Sequence, residues 1–72
     1  MTNKEKITLL EGMLDVEEGS LNEEMELGDV DNWDSLAIIS LIALLDENFG
    51  KTIPAGEIRK FKRVKDVLEQ MN

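Results

Sequence analysis

From Leu36 to Leu45 every residue except Ser40 is apolar, and nothing else in the chain has a comparable run. That stretch falls well short of the ~20 residues needed to span a bilayer, so it must be buried by folding. Its ends read as helix ends. Asp34 is a good N-cap, Asp46 and Glu47 are the first polar pair beyond the run, and Gly50 is placed to stop the helix in a left-handed conformation. Trp33 and Ile38 stand at the N′ and N4 positions of a hydrophobic staple. The spacing therefore predicts a helix from about Ser35 to Phe49. Ile38, Leu41, Ile42, Leu45 and Phe49 recur on one face and are assigned to the core. Leu36, Ile39 and Ala43 lie off it, and Ala37 and Ser40 are expected to be exposed. In 72 residues not all of these can be buried. Leu36 and Ile39 either form an exposed patch that meets a partner or complete the core against the preceding loop and the third helix.

The remaining chain supplies what this helix packs against. Thr2-Asn3-Lys4-Glu5 is a capping-box pattern, and behind it Ile7, Leu10 and Leu14 share one face that Leu9 and Met13 widen; the periodicity ends near Asp15. Val16 to Asn32 has no sustained period and reads as a long acidic loop. Leu21, Met25, Leu27 and Val30 are expected to pin it, with a short helical turn around Asn22 to Met25. Lys51 to Pro54 is a connector, a short turn of helix is expected around Glu57 to Lys60 anchored by Ile58 and Phe61, and a last helix from about Val64 to Gln70 buries Val64, Val67, Leu68 and Met71. The fold class is all-α: one domain over 1–72, a small four-helix bundle of three longer helices and one short one, with no strand pattern.

Composition removes several kinds of function. There is no cysteine and no histidine, hence no thiolate nucleophile, no imidazole base and no disulfide. A chain this small has no second domain to close over a substrate, so it is not expected to be an enzyme. No apolar signal core stands at the amino terminus, which predicts a soluble cytoplasmic monomer. The net charge is −8, and no Lys or Arg lies between Ile7 and Gly50, whereas Lys51, Arg59, Lys60, Lys62, Arg63 and Lys65 crowd the last part. That field repels nucleic acid and anionic lipid; it either attracts basic partners or only keeps the domain soluble. Asp29-Val30-Asp31-Asn32-Trp33-Asp34 looks like a calcium loop but fails the pattern. Its sixth position is Asp34 instead of glycine and its twelfth is Ser40 instead of glutamate. No dedicated metal site is expected.

Ser35 stands at the first position of the central helix. There the free N–H groups and the macrodipole would stabilise an anion carried on the hydroxyl, although a serine at a helix start is by itself unremarkable. Asp34-Ser35-Leu36, the long apolar helix ending in Phe49-Gly50, and Ile53-Pro54 beyond it resemble the acyl carrier proteins over nearly the whole chain. The resemblance implies covalent attachment of 4′-phosphopantetheine to Ser35 and transport of acyl intermediates as thioesters, as in fatty acid or polyketide biosynthesis. The partners it implies are a phosphopantetheinyl transferase, an acyl-loading ligase or transferase, and a ketoacyl synthase or other acyl-processing enzyme. They would meet Asp34, Leu36, Ile39, Asp46 and Glu47 along the exposed side of the helix.

The chain departs from that family in places. General fatty-acid carriers commonly have acids where Ala37 and Ser40 stand, and their third segment is usually acidic, whereas Arg59, Lys60, Lys62 and Arg63 occupy it here. A freestanding carrier of a specialised pathway fits better than a housekeeping one. D-Alanyl carriers share Asp-Ser and are the runner-up. The rival from another class is a small acidic helical adaptor that binds a basic partner and is never modified.

Overall fold

The computed structural model describes residues 1–72 and contains four α-helices and no strand. Helix α1 (Asn3–Leu14) begins on the capping box: the Thr2 hydroxyl accepts from the Glu5 N–H at 3.2 Å, and the Glu5 carboxylate accepts from the Thr2 N–H at 2.9 Å. It ends at Asp15, whose backbone is left-handed at φ 56°. Helix α2 (Ser35–Phe49) begins on the Asp34 carboxylate, which accepts from the Ala37 N–H at 2.9 Å, and ends at Gly50 with φ 65°. The N–H groups of Gly50 and Lys51 close that end on the carbonyls of Asp46 and Leu45. Glycine takes the left-handed φ at no steric cost.

The last two helices are both short, α3 (Ala55–Ile58) with 4 residues and α4 (Val64–Leu68) with 5, so the bundle has two long and two short helices instead of three and one. α3 starts directly after Pro54, two residues earlier than the expected Glu57–Lys60 turn. Beyond Leu68 the chain tightens: Gln70 donates to the Val67 carbonyl and Met71 to that of Leu68, and Met71 becomes fully buried. The tighter turn ends α4 before Gln70 while keeping its apolar residues inside.

The loop between α1 and α2 is ordered by its own side chains and by distant backbone. Leu21, Leu27 and Val30 are buried, and Met25 is half-buried against the core. The helical turn lies at Leu27–Asp29, a 3₁₀ turn, and not at Asn22–Met25, which is only a turn closed by one bond from the Met25 N–H to the Asn22 carbonyl. The reason is a non-local pairing. The Leu27 N–H donates to the Lys62 carbonyl at 2.8 Å, the Val64 N–H to Met25 at 2.9 Å and the Lys65 N–H to Glu23 at 3.0 Å, around an antiparallel bridge between Glu26 and Arg63. Backbone groups committed across the molecule are not available to a local helix.

One cluster of 14 buried side chains joins all of these elements. α2 contributes Ala37, Ile38, Leu41 and Leu45, while Ile42 and Phe49 are only half-buried against it. Ala37 is 7% exposed, contrary to the expectation that it faces solvent. Spacings of four put Ala37, Leu41 and Leu45 on one ridge, and the small alanine sits where α2 meets Met13 and Leu14 at the end of α1. Ser40 is half-buried beside it.

Candidate functional site

Ser35 is exposed at the first position of α2. The cap is made by Asp34, so the serine hydroxyl is not needed for it. The loop is anchored close by: Asn32, with a left-handed backbone at φ 66°, donates its side-chain N–H to the Leu14 carbonyl at 2.8 Å. This one bond ties the last turn of α1 to the entry of α2 and satisfies a carbonyl that the end of α1 leaves free. Asn32 was not singled out in the sequence; the signal was there, since asparagine is the non-glycine residue that best tolerates a left-handed backbone.

From Ser35 the exposed face of α2 can be followed at about 100° per residue. Ser35, Leu36, Ile39, Ala43, Asp46 and Glu47 are all exposed and fall within about a third of the circumference. Leu36 and Ile39 are 70% and 62% exposed, so these two do not complete the core. Asp46 and Glu47 lie roughly 17 Å further along the axis from Ser35. The six sequence-predicted positions, Asp34 included with Ser35, thus share one exposed strip: a serine and an aspartate at one end, an apolar middle, and two acids at the other end. An apolar patch rimmed by acids is suited to a partner surface with apolar contacts inside a basic border.

The residues present fit a phosphate ester at Ser35 in one respect and limit it in another. The hydroxyl is accessible and lies at the positive end of a long helix. No Lys or Arg stands between Ile7 and Gly50 to add a counter-charge, and Asp34 is adjacent. A phosphate ester there would be stabilised by the helix start and by solvent, with no basic side chain near it in sequence.

A second residue that the sequence reading passed over supports this end of the molecule. Glu11 is 3% exposed, and its carboxylate accepts from the N–H of Gly19 at 2.8 Å and of Leu21 at 3.1 Å. It therefore fastens the start of the loop to α1. An acid on the apolar stripe of α1, four residues from Ile7 and three from Leu14, was the available clue.

No helix is long and apolar enough to cross a membrane. No family model matches the chain, and no solved structure matches it significantly. Among curated proteins the chain is similar to an acyl carrier protein of Thermosynechococcus vestitus, with 49% identity over 41 residues, 57% of this chain and 51% of that protein. The chain thus matches about half the length of that relative.

Proposed function

We propose that this chain is a carrier and not an enzyme, bearing 4′-phosphopantetheine on Ser35 and presenting acyl groups to other enzymes. The observation that carries the reading is an exposed serine, within Asp34-Ser35-Leu36, at the start of a long capped helix whose exposed strip is apolar next to that serine. Similarity to a protein named as an acyl carrier supports the same reading from outside the structure.

In loading, the Ser35 hydroxyl oxygen attacks the pantetheine-side phosphorus of coenzyme A. A phosphodiester forms, the pyrophosphate bond breaks, and adenosine 3′,5′-bisphosphate leaves with the hydroxyl proton taken by a base of the transferase. The arm supplies a thiol on which an acyl group is held as a thioester. This chain's residues do the rest: Asp34 fixes the helix start, α2 presents the attachment point, and Leu36, Ile39, Asp46 and Glu47 form the docking strip for the transferase, the loading ligase or transferase, and the ketoacyl synthase or related enzymes.

The test is incubation with coenzyme A and a broad-specificity phosphopantetheinyl transferase, followed by intact mass. Wild type should gain one phosphopantetheine and Ser35→Ala none. An unmodified wild type would favour the adaptor reading. A loaded protein that accepts D-alanine from a ligase in preference to acyl groups would identify it as an aminoacyl carrier.

A further inference from the structure

We infer that the depression between α1 and the start of the loop takes the side-chain ammonium of a lysine on a docking protein, with Glu11 as its acceptor. The site shares no residue with α2, so it stands or falls apart from the carrier reading. Its volume is about 530 Å³, and Ile7, Thr8 and Glu11 on α1 face Glu18, Leu21 and Glu23 on the loop across it. Glu11 is the unusual member. It is 3% exposed, yet only one of its carboxylate oxygens is used inside the molecule: Oε2 accepts from both the Gly19 and the Leu21 N–H, and Oε1 accepts from none. No side-chain oxygen or nitrogen in the protein is both fully enclosed and without a partner. Oε1 therefore opens to the depression that Glu11 lines. A carboxylate held this deep with one bare oxygen has given up most of its hydration, and gains most from a cationic donor.

The same geometry selects the donor. An arginine fork bonds both oxygens of a carboxylate in parallel, and Oε2 is already committed to two N–H groups. A lysine ammonium is a compact point charge whose three N–H groups bond one oxygen at a time, so Oε1 suffices for one of them. Glu18 and Glu23 add negative charge from the loop side, against Lys4 alone, which makes no ion pair. The Glu23 carboxylate accepts from the Asn3 side chain at 2.7 Å, which ties it to the start of α1. Ile7 is half-buried and Leu21 buried, and they give the methylene stem of a lysine an apolar surface to lie on. The depression is open, whereas pockets for free small molecules enclose most of their ligand. That favours a side chain delivered by a protein surface over a diffusing amine.

The probes are Nα-acetyl-lysine methylamide, its arginine counterpart and the neutral Nε-acetylated lysine, each titrated into isotope-labelled protein at constant ionic strength and followed by amide NMR. The Gly19 and Leu21 amides, both bonded to Glu11, report occupancy. The lysine probe should move both resonances saturably, the arginine probe should bind several-fold more weakly, and the neutral probe should leave them in place. Glu11→Gln keeps an oxygen for the loop and turns an amide N–H toward the depression. Lysine binding should then weaken about tenfold, the size of one charge-assisted hydrogen bond. Thr8→Lys plants an ammonium one turn from Glu11 and should block the probe outright, which provides a second test if the first variant is misfolded by circular dichroism. A response that does not saturate, that the neutral probe reproduces, that the arginine probe matches, or that survives in both variants would overturn the site and leave only water on Oε1. None of these outcomes bears on the loading of Ser35.

Discussion

Glu11 and Ser35 are both polar residues on helices, but they differ sharply in what their removal should do. Glu11→Ala leaves the Gly19 and Leu21 N–H groups without their acceptor, Leu21 in a buried setting, and should cost about 2 kcal/mol of unfolding free energy in a denaturant titration. Glu11→Gln keeps an acceptor oxygen and should recover a large part of that loss. Ser35→Ala touches an exposed hydroxyl outside the cap, so stability should change by only about 0.3 kcal/mol while loading is lost. A large loss of stability in Ser35→Ala would show that the serine is structural. Ala37 calls for the opposite treatment from the one its sequence position suggested. Because Ala37 is buried beside the end of α1, Ala37→Asp should destabilise by upwards of about 1 kcal/mol, and so cannot be used to add an acid to the exposed side of α2.

At the scale of the helices, the ends are where sequence and stability meet. α1 ends on an aspartate in the left-handed region, a conformation glycine adopts without strain. Asp15→Gly should therefore stabilise the fold by about 0.5–1 kcal/mol, read as a raised denaturation midpoint. The start of α4 is capped by Asp66 in its first turn, whose carboxylate accepts from the N–H of Lys62 at 2.9 Å and of Arg63 at 3.0 Å. These bonds, that from Arg63 first, hold its pKa below the ordinary value; at the start of α1 the Thr2 N–H does the same for Glu5. Because the folded pKa is the lower one, the stabilisation is fully present above about pH 4 and is lost as pH falls through the folded value. Asp66→Asn should flatten the acid limb of a stability profile taken from about pH 2 to 7. An acid limb unchanged in that variant would remove Asp66 from the account.

For the molecule as a whole, charge is the unbalanced quantity. The net charge is −8, and the ion pairs are Glu57 with Lys60 and Glu24 with Arg63 and Lys65, all on the surface. Asp15, Glu17, Asp29 and Asp31 line one depression that no Lys or Arg borders. Like charges gathered in this way repel, so sodium chloride or a divalent cation should raise the melting temperature. Melts by circular dichroism at low and high ionic strength check this. A melting temperature indifferent to salt would mean that the acids find partners in solution among the cations without an ion pair, such as Lys6, Lys51 and Arg59.

The helices, their caps and most of the core were legible in the chain because they depend on neighbours three or four residues away. Thr2 with Glu5, Asp34 with Ala37, and Gly50 after Phe49 are local bonds or local φ angles, and the exposed strip from Ser35 to Glu47 follows from the helical period once the helix exists. What only the tertiary structure decided depends on residues far apart. The loop gave up a turn at Asn22–Met25 because its backbone pairs with Lys62 to Lys65. Likewise Ala37 is buried because α1 ends against it, Glu11 is buried because the loop folds back onto it, and α4 is short because Met71 turns into the core. Periodicity fixes which side chains share a face; which neighbour covers that face, and how far along, is a packing outcome that no local pattern encodes.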